Sequence, residues 1–136
     1  MKTYRYYVDG GLLGKKNPSP EGVYFSVRVE SDGDEPLMLN ERTKVLDKQT
    51  NNEAEWLAVN EALCHIANQP RGTAAILHSD SELLVSQLLG KKKVHEPKLK
   101  AMWEVAERLK RAAWLRGVDL TLMWVSRKVN VEKLGH

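Results

Sequence analysis

Ala74-Ala-Ile-Leu77 restricts the fold more than any other stretch of the chain. It is short and wholly apolar, with Pro70-Arg-Gly72 before it and Ser79 and Asp80 just after it. A strand with no polar face must be covered on both sides, as central strands of parallel sheets are. Helical patterns flank it. Upstream, Thr50 with Glu53 makes a capping box, and Val59, Ala62, Leu63 and Ile66 recur at helical spacing. Downstream, Ser79 or Asp80 is placed to cap a second helix carrying Leu84, Val85, Leu88 and Leu89, with Gly90 at its end. Pro97 opens a third helix where proline is tolerated. Leu99, Met102, Val105 or Ala106, Leu109 and Ala113 form its apolar face, and Gly117 stops it.

The remaining elements are extended. Tyr4–Val8 reads as a strand that ends on Asp9 and turns sharply at Gly10-Gly11. Two prolines in Lys15-Lys-Asn17-Pro-Ser-Pro20 make the next segment a loop. Val23–Val29 alternates with period two, Ser31-Asp-Gly-Asp34 is a hairpin signal, and Leu37–Val45 is an edge strand. Val118–Trp124 alternates as the last strand, and a short tail follows. The order βββαβααβ predicts an α/β fold, a five-stranded mixed sheet with helices on its faces. With 136 residues, no repeat and no linker, residues 1–136 read as one domain.

Three acids have competing explanations. Glu55 lies four residues before Val59 and seven before Ala62, on the sheet-facing side of the first helix. Alone it could be a first-turn acid complementing the helix dipole. Asp80 alone could be a helix cap, and Asp9 alone a turn residue. If the first strand runs parallel to the 74–77 strand, Asp9 and Asp80 share one sheet edge, where open α/β folds build their sites. The first helix then delivers Glu55 to the same place. Three carboxylates in one cleft repel unless cations lie between them. No His or Cys pair with ligand spacing is present, so the cluster selects Mg²⁺ or Mn²⁺. Two such ions about 4 Å apart can activate a water and stabilise a leaving oxygen in phosphodiester cleavage.

Other residues carry weaker signals. The single cysteine, Cys64, excludes an internal disulfide and reads as a small buried hydrophobe. Tyr4, Tyr6 and Tyr24 read as sheet packing, Trp103 and Trp114 as helix packing, and His78 as structural. Net charge is +3, and the basic residues gather in the C-terminal half, Lys91-Lys92-Lys93 among them. That run, with Lys98 and Lys100, is a candidate phosphate groove or a solvated face. No apolar run is long enough to span a membrane, and the N-terminus has no signal core, which predicts a cytoplasmic protein.

Four segments together resemble a known family, type 1 ribonuclease H. They are Tyr7-Val-Asp9-Gly-Gly11, Thr50-Asn-Asn-Glu-Ala-Glu55, His78-Ser-Asp80-Ser81 and Trp124-Val-Ser-Arg127-Lys-Val-Asn130. Their order and spacing match over nearly the full chain. Thr-Asn-Asn-x-x-Glu is the specific part, whereas Asp-Gly-Gly and Asp-Ser are weak alone. Gln87–Leu99 is similar to members that lack the basic-protrusion helix. The resemblance implies the ribonuclease H-like three-layer fold. It also implies an endonuclease that hydrolyses the RNA strand of RNA·DNA hybrids, leaving 3′-hydroxyl and 5′-phosphate ends. Asp9, Glu55 and Asp80 would bind two metal ions. Gly10, Gly11, Asn51 and Asn52 would contact the RNA strand, Asn17 would contribute from a loop that has partly lost its glycines, and Arg127 matches a basic loop position. A monomer is expected.

The tail departs from the family pattern. A fourth aspartate is usual seven residues after the arginine, where this chain has Leu134, and no aspartate follows Asp119. Asn130 is the candidate replacement, with Glu132 as the alternative. A neutral fourth ligand predicts a preference for Mn²⁺ or for higher Mg²⁺. Two other functions fit the same residues: a hybrid-binding module with weakened catalysis, and another nuclease of the superfamily, such as a junction resolvase or exonuclease.

Overall fold

The computed structural model describes residues 2–43 and 50–135. The strands are β1 (Thr3–Leu12), β2 (Val23–Ser31), β3 (Leu37–Thr43), β4 (Ala74–Ser79) and β5 (Asp119–Trp124), and the helices are α1 (Asn51–Ala67), α2 (Glu82–Leu88), α3 (Pro97–Arg116) and α4 (Arg127–Leu134). The sheet order is β3-β2-β1-β4-β5. β1, β2 and β3 form an antiparallel meander, while β4 runs parallel to β1 and β5 parallel to β4. The expected extension of β3 to Val45 lies partly outside the described residues.

Burial follows the strand alternation. Tyr6 and Val8 of β1 and Phe25, Val27 and Val29 of β2 enter one core with Trp56, Val59, Leu63 and Ile66 of α1. Ala106 and Ala113 of α3 and Leu84 and Leu88 of α2 close it. On the other face Tyr7 stacks on His78, with ring centroids 4.4 Å apart, and lies under the Lys133 ammonium of α4. Helices therefore lie on both faces of the sheet, but α4 packs on β1 and β2, so on its side Ala74 and Ile76 of β4 are only partly buried, short of the full cover expected of that run. His78 is buried and its ring nitrogen bonds the Tyr6 carbonyl oxygen at 2.9 Å, a structural role as expected.

Four further expectations are corrected. β1 does not stop at Asp9 but continues to Leu12 beside β2, and neither Gly10 nor Gly11 has a positive φ. The glycines serve close approach instead. A Cβ on Gly10 would lie 2.2 Å from the Ala54 carbonyl oxygen, so α1 could not sit where it does. The short tail, to which the sequence assigned no element, is helical: Ser126 caps α4 by accepting from the Val129 N–H. Cys64 is exposed, because it falls on the α1 face opposite the core. Trp114 is 74% exposed, one position past the buried Ala113. Trp103, by contrast, packs against the core.

Candidate active site

The register of β1 against β4 makes the site. The parallel ladder ends at Val8↔Ser79, so the next residue on each strand is an acid, Asp9 and Asp80. Each simpler explanation for the acids fails locally. Asp9 is inside a strand rather than a turn. The cap of α2 is Ser81, whose hydroxyl accepts from the Leu84 N–H at 3.2 Å, so the Asp80 carboxylate is not used for capping. Ser79 cannot take that role because it remains in β4, paired with Val8 and Trp124. On α1 the capping acid is Glu53, which completes the box with Thr50, leaving Glu55, two residues on, free of the cap. Carboxylate oxygens of Asp9, Glu55 and Asp80 all lie within 4.8 Å of one another.

The electrostatics match that crowding. Glu55 is pushed up to about 7, first by burial and then by the charges of Asp80 and Asp9; a hydrogen bond with Ser81 and the Arg127 charge oppose the shift. Among the described residues, Arg127 is the cation at the cluster, its Nη1 3.8 Å from Asp80 Oδ2. Its side chain is 79% exposed and that of Asp80 only 10%, so the arginine covers the cluster from the solvent side. The Trp124 indole N–H donates to the Asp80 carbonyl oxygen at 3.1 Å and fixes the turn behind it.

A cleft of about 360 Å³ opens on these groups, lined by Asp9, Gly10, Gly11, Asn17, Asn51, Glu55 and Arg127, with Leu12 and Tyr24. Asn17 and Asn51 also line a larger adjoining groove, about 900 Å³, which runs past Asn52 and Glu53 to Glu96, Lys98 and Leu99. The expected RNA-contacting residues thus share one continuous concave surface. Lys91, Lys92 and Lys93 are exposed on the connection between α2 and α3 and do not line the acidic cleft. Tyr24, read from sequence as packing, belongs to the cleft; only the register that sets it opposite Gly11 reveals this.

The tail residues separate. Asn130 is 1% exposed, and its amide donates to the Val8 carbonyl oxygen at 2.8 Å, immediately before Asp9. Its Oδ1 is buried without a hydrogen-bond partner among the described residues. Glu132 is exposed, and Leu134 is 6% exposed as part of the face that docks α4. Oxygen-only donors clustered this tightly around a raised Glu55 fit a hard divalent cation.

No protein-family model matches the sequence, and comparison with curated proteins gives no match. Solved structures do match. Ribonuclease H1 from the halophilic archaeon Halobacterium salinarum superposes with a TM-score of 0.78 at 23% identity, over 98% of this chain and 92% of that one. LC11-RNase H1, isolated from compost by a metagenomic approach, gives 0.77 at 26% identity, over 98% and 91% of the two chains. The chain has the fold of type 1 ribonuclease H. LC11-RNase H1 in complex with an RNA/DNA hybrid gives 0.76 at 24% identity, over 97% of this chain and 94% of that one. In this ribonuclease H fold the acids meet where the β1–β4 ladder ends.

Proposed function

We propose that the chain is a metal-dependent endoribonuclease, a single ribonuclease H-like domain acting as a cytoplasmic monomer. It hydrolyses the RNA strand of RNA·DNA hybrids to 3′-hydroxyl and 5′-phosphate products. The observation that carries this reading is the convergence of Asp9, Glu55 and Asp80, none of them used as a cap or turn residue, in a ribonuclease H fold. These three would hold Mg²⁺ or Mn²⁺, two ions in the full arrangement. When bound, the metal supplies Lewis acidity at the phosphate and lowers the pKa of a water.

The chain's own residues do the rest. Gly10, Gly11, Asn17, Asn51 and Asn52 receive the RNA strand along the cleft and its adjoining groove. A 2′-hydroxyl donates and accepts, which asparagine amides and backbone groups can match. Arg127 faces the phosphate from the solvent side. Lys98 in the groove, together with Lys91, Lys92 and Lys93 on the exposed connection between α2 and α3, follows the phosphates of the DNA strand. Asn130, whose Oδ1 is a buried oxygen without a hydrogen-bond partner among the described residues, is the fourth ligand in this reading, ahead of the exposed Glu132. Its neutral amide favours Mn²⁺ or higher Mg²⁺. An Asn130→Ala variant that keeps both the rate and the metal optimum would remove Asn130 from the site.

The test is a panel of labelled substrates, namely RNA·DNA hybrid, RNA duplex, DNA duplex and four-way junction, each with Mg²⁺ and then Mn²⁺. Cleavage confined to the hybrid is the expected result. Junction or DNA cleavage would favour another nuclease of the superfamily. Binding without cleavage in either metal would favour a hybrid-binding module, which the buried Leu134 at the fourth acid position would then explain.

A further inference from the structure

β2 sets Tyr24 directly opposite Gly11, two residues past Asp9. The two residues are matched in size. A Cβ on Gly11 would lie 2.5 Å from the Tyr24 hydroxyl oxygen and 2.6 Å from two of its ring carbons. The ring therefore lies across the β1 backbone, in the space that a side chain at position 11 would take. Phe25 and Val27 alternate away into the core, so Tyr24 stands on the opposite face. There it lines the cleft together with Asp9, Glu55 and Arg127. Burial and the Asp9 charge push the phenol up, and Arg127 opposes them, so the hydroxyl lies within the field of both groups and keeps its proton at neutral pH.

We propose that Tyr24 is a specificity-determining residue of this cleft, its hydroxyl meeting a ribose 2′-hydroxyl of the RNA strand beside the cleaved phosphate. The proposal rests on the hybrid-cleaving reading above. A phenol and a 2′-hydroxyl each donate and accept, so they pair in either sense. A phosphate oxygen only accepts, and Arg127 is already placed to serve it. A deoxyribose at the same position would leave the phenol without that partner. Gly11 is then the residue that lets the ring reach the substrate, and Phe at position 24 would keep the ring while removing only the hydroxyl.

The test is a double-mutant cycle between protein and substrate. kcat/KM is measured for the wild type and Tyr24→Phe on hybrids whose RNA strand is all ribose, or carries one 2′-deoxy nucleotide at each position around the cut. Removing one neutral hydrogen bond corresponds to about a tenfold change. Tyr24→Phe should lose about tenfold on the all-ribose hybrid with an unchanged melting temperature. One deoxy position should slow the wild type about tenfold and leave Tyr24→Phe unaffected. Equal losses in both proteins at every position would overturn the proposal. If the wild type cleaves no hybrid, the hybrid-cleaving reading fails separately. The same cycle, read on dissociation constants in chelator, then decides the Tyr24 contact, and absence of hybrid binding would overturn it too.

Discussion

Glu55 is the residue whose protonation couples the site to the stability of the fold. It is raised from 4.5 to about 7 by burial and by Asp80 and Asp9. Between those values the folded chain holds a proton that the unfolded chain has released, so unfolding releases a proton and stability falls as pH rises. The metal-free protein should therefore lose stability from about pH 4.5 to about pH 7 and level off above that. Glu55→Gln should flatten the slope, and urea unfolding in chelator at both ends of the window checks it. A slope unchanged by Glu55→Gln would show that another group is responsible. At this scale the sequence was readable where chemistry is local. The Thr50–Glu53 box is a four-residue pattern and it forms as read. Cys64 and Trp114 were misread because hydrophobicity alone does not say which helix face a residue takes.

Among the elements, α4 was the one hidden in the sequence. Val129 and Val131, its apolar-looking residues, are exposed, while Asn130 and Leu134 are buried, so no amphipathic stripe marks it. It is docked by specific contacts instead: Asn130 to the Val8 carbonyl, Lys133 to Glu30 at 3.0 Å, and the Leu134 side chain. β4, by contrast, announced itself, since an apolar run between two helical patterns has few other placements. Because α4 begins at Arg127, loosening its far end should loosen the arginine over Asp80. Leu134→Ala should lower stability by about 2 kcal/mol. It should also speed amide exchange across residues 127–134 and reduce the rate on hybrid. Unchanged exchange there would mean that the polar contacts alone hold the helix.

For the whole molecule, the fold was legible because element order, hairpin signals and the central strand leave few topologies. The site was legible as three acids, but its adjoining groove was not, because Glu96, Lys98 and Leu99 meet the N-terminus of α1 only through the packing of α3 on it. The charge distribution makes one further demand. If Lys91, Lys92 and Lys93 track DNA phosphates, replacing all three by alanine should make hybrid affinity less salt-dependent, by roughly 0.9 in log–log slope for each phosphate no longer neutralised. An unchanged slope would leave them as a solvated turn. Since Ser81 caps α2, the reading of the site turns on whether the Asp80 carboxylate is a metal ligand. It is tested most directly by measuring hybrid cleavage and the melting temperature of Asp80→Asn beside the wild type. For a ligand, the rate should fall at least about a hundredfold, from several kcal/mol of missing metal-assisted stabilisation, with the metal-free melting temperature unchanged or raised. Retained cleavage with a lowered melting temperature would contradict that role.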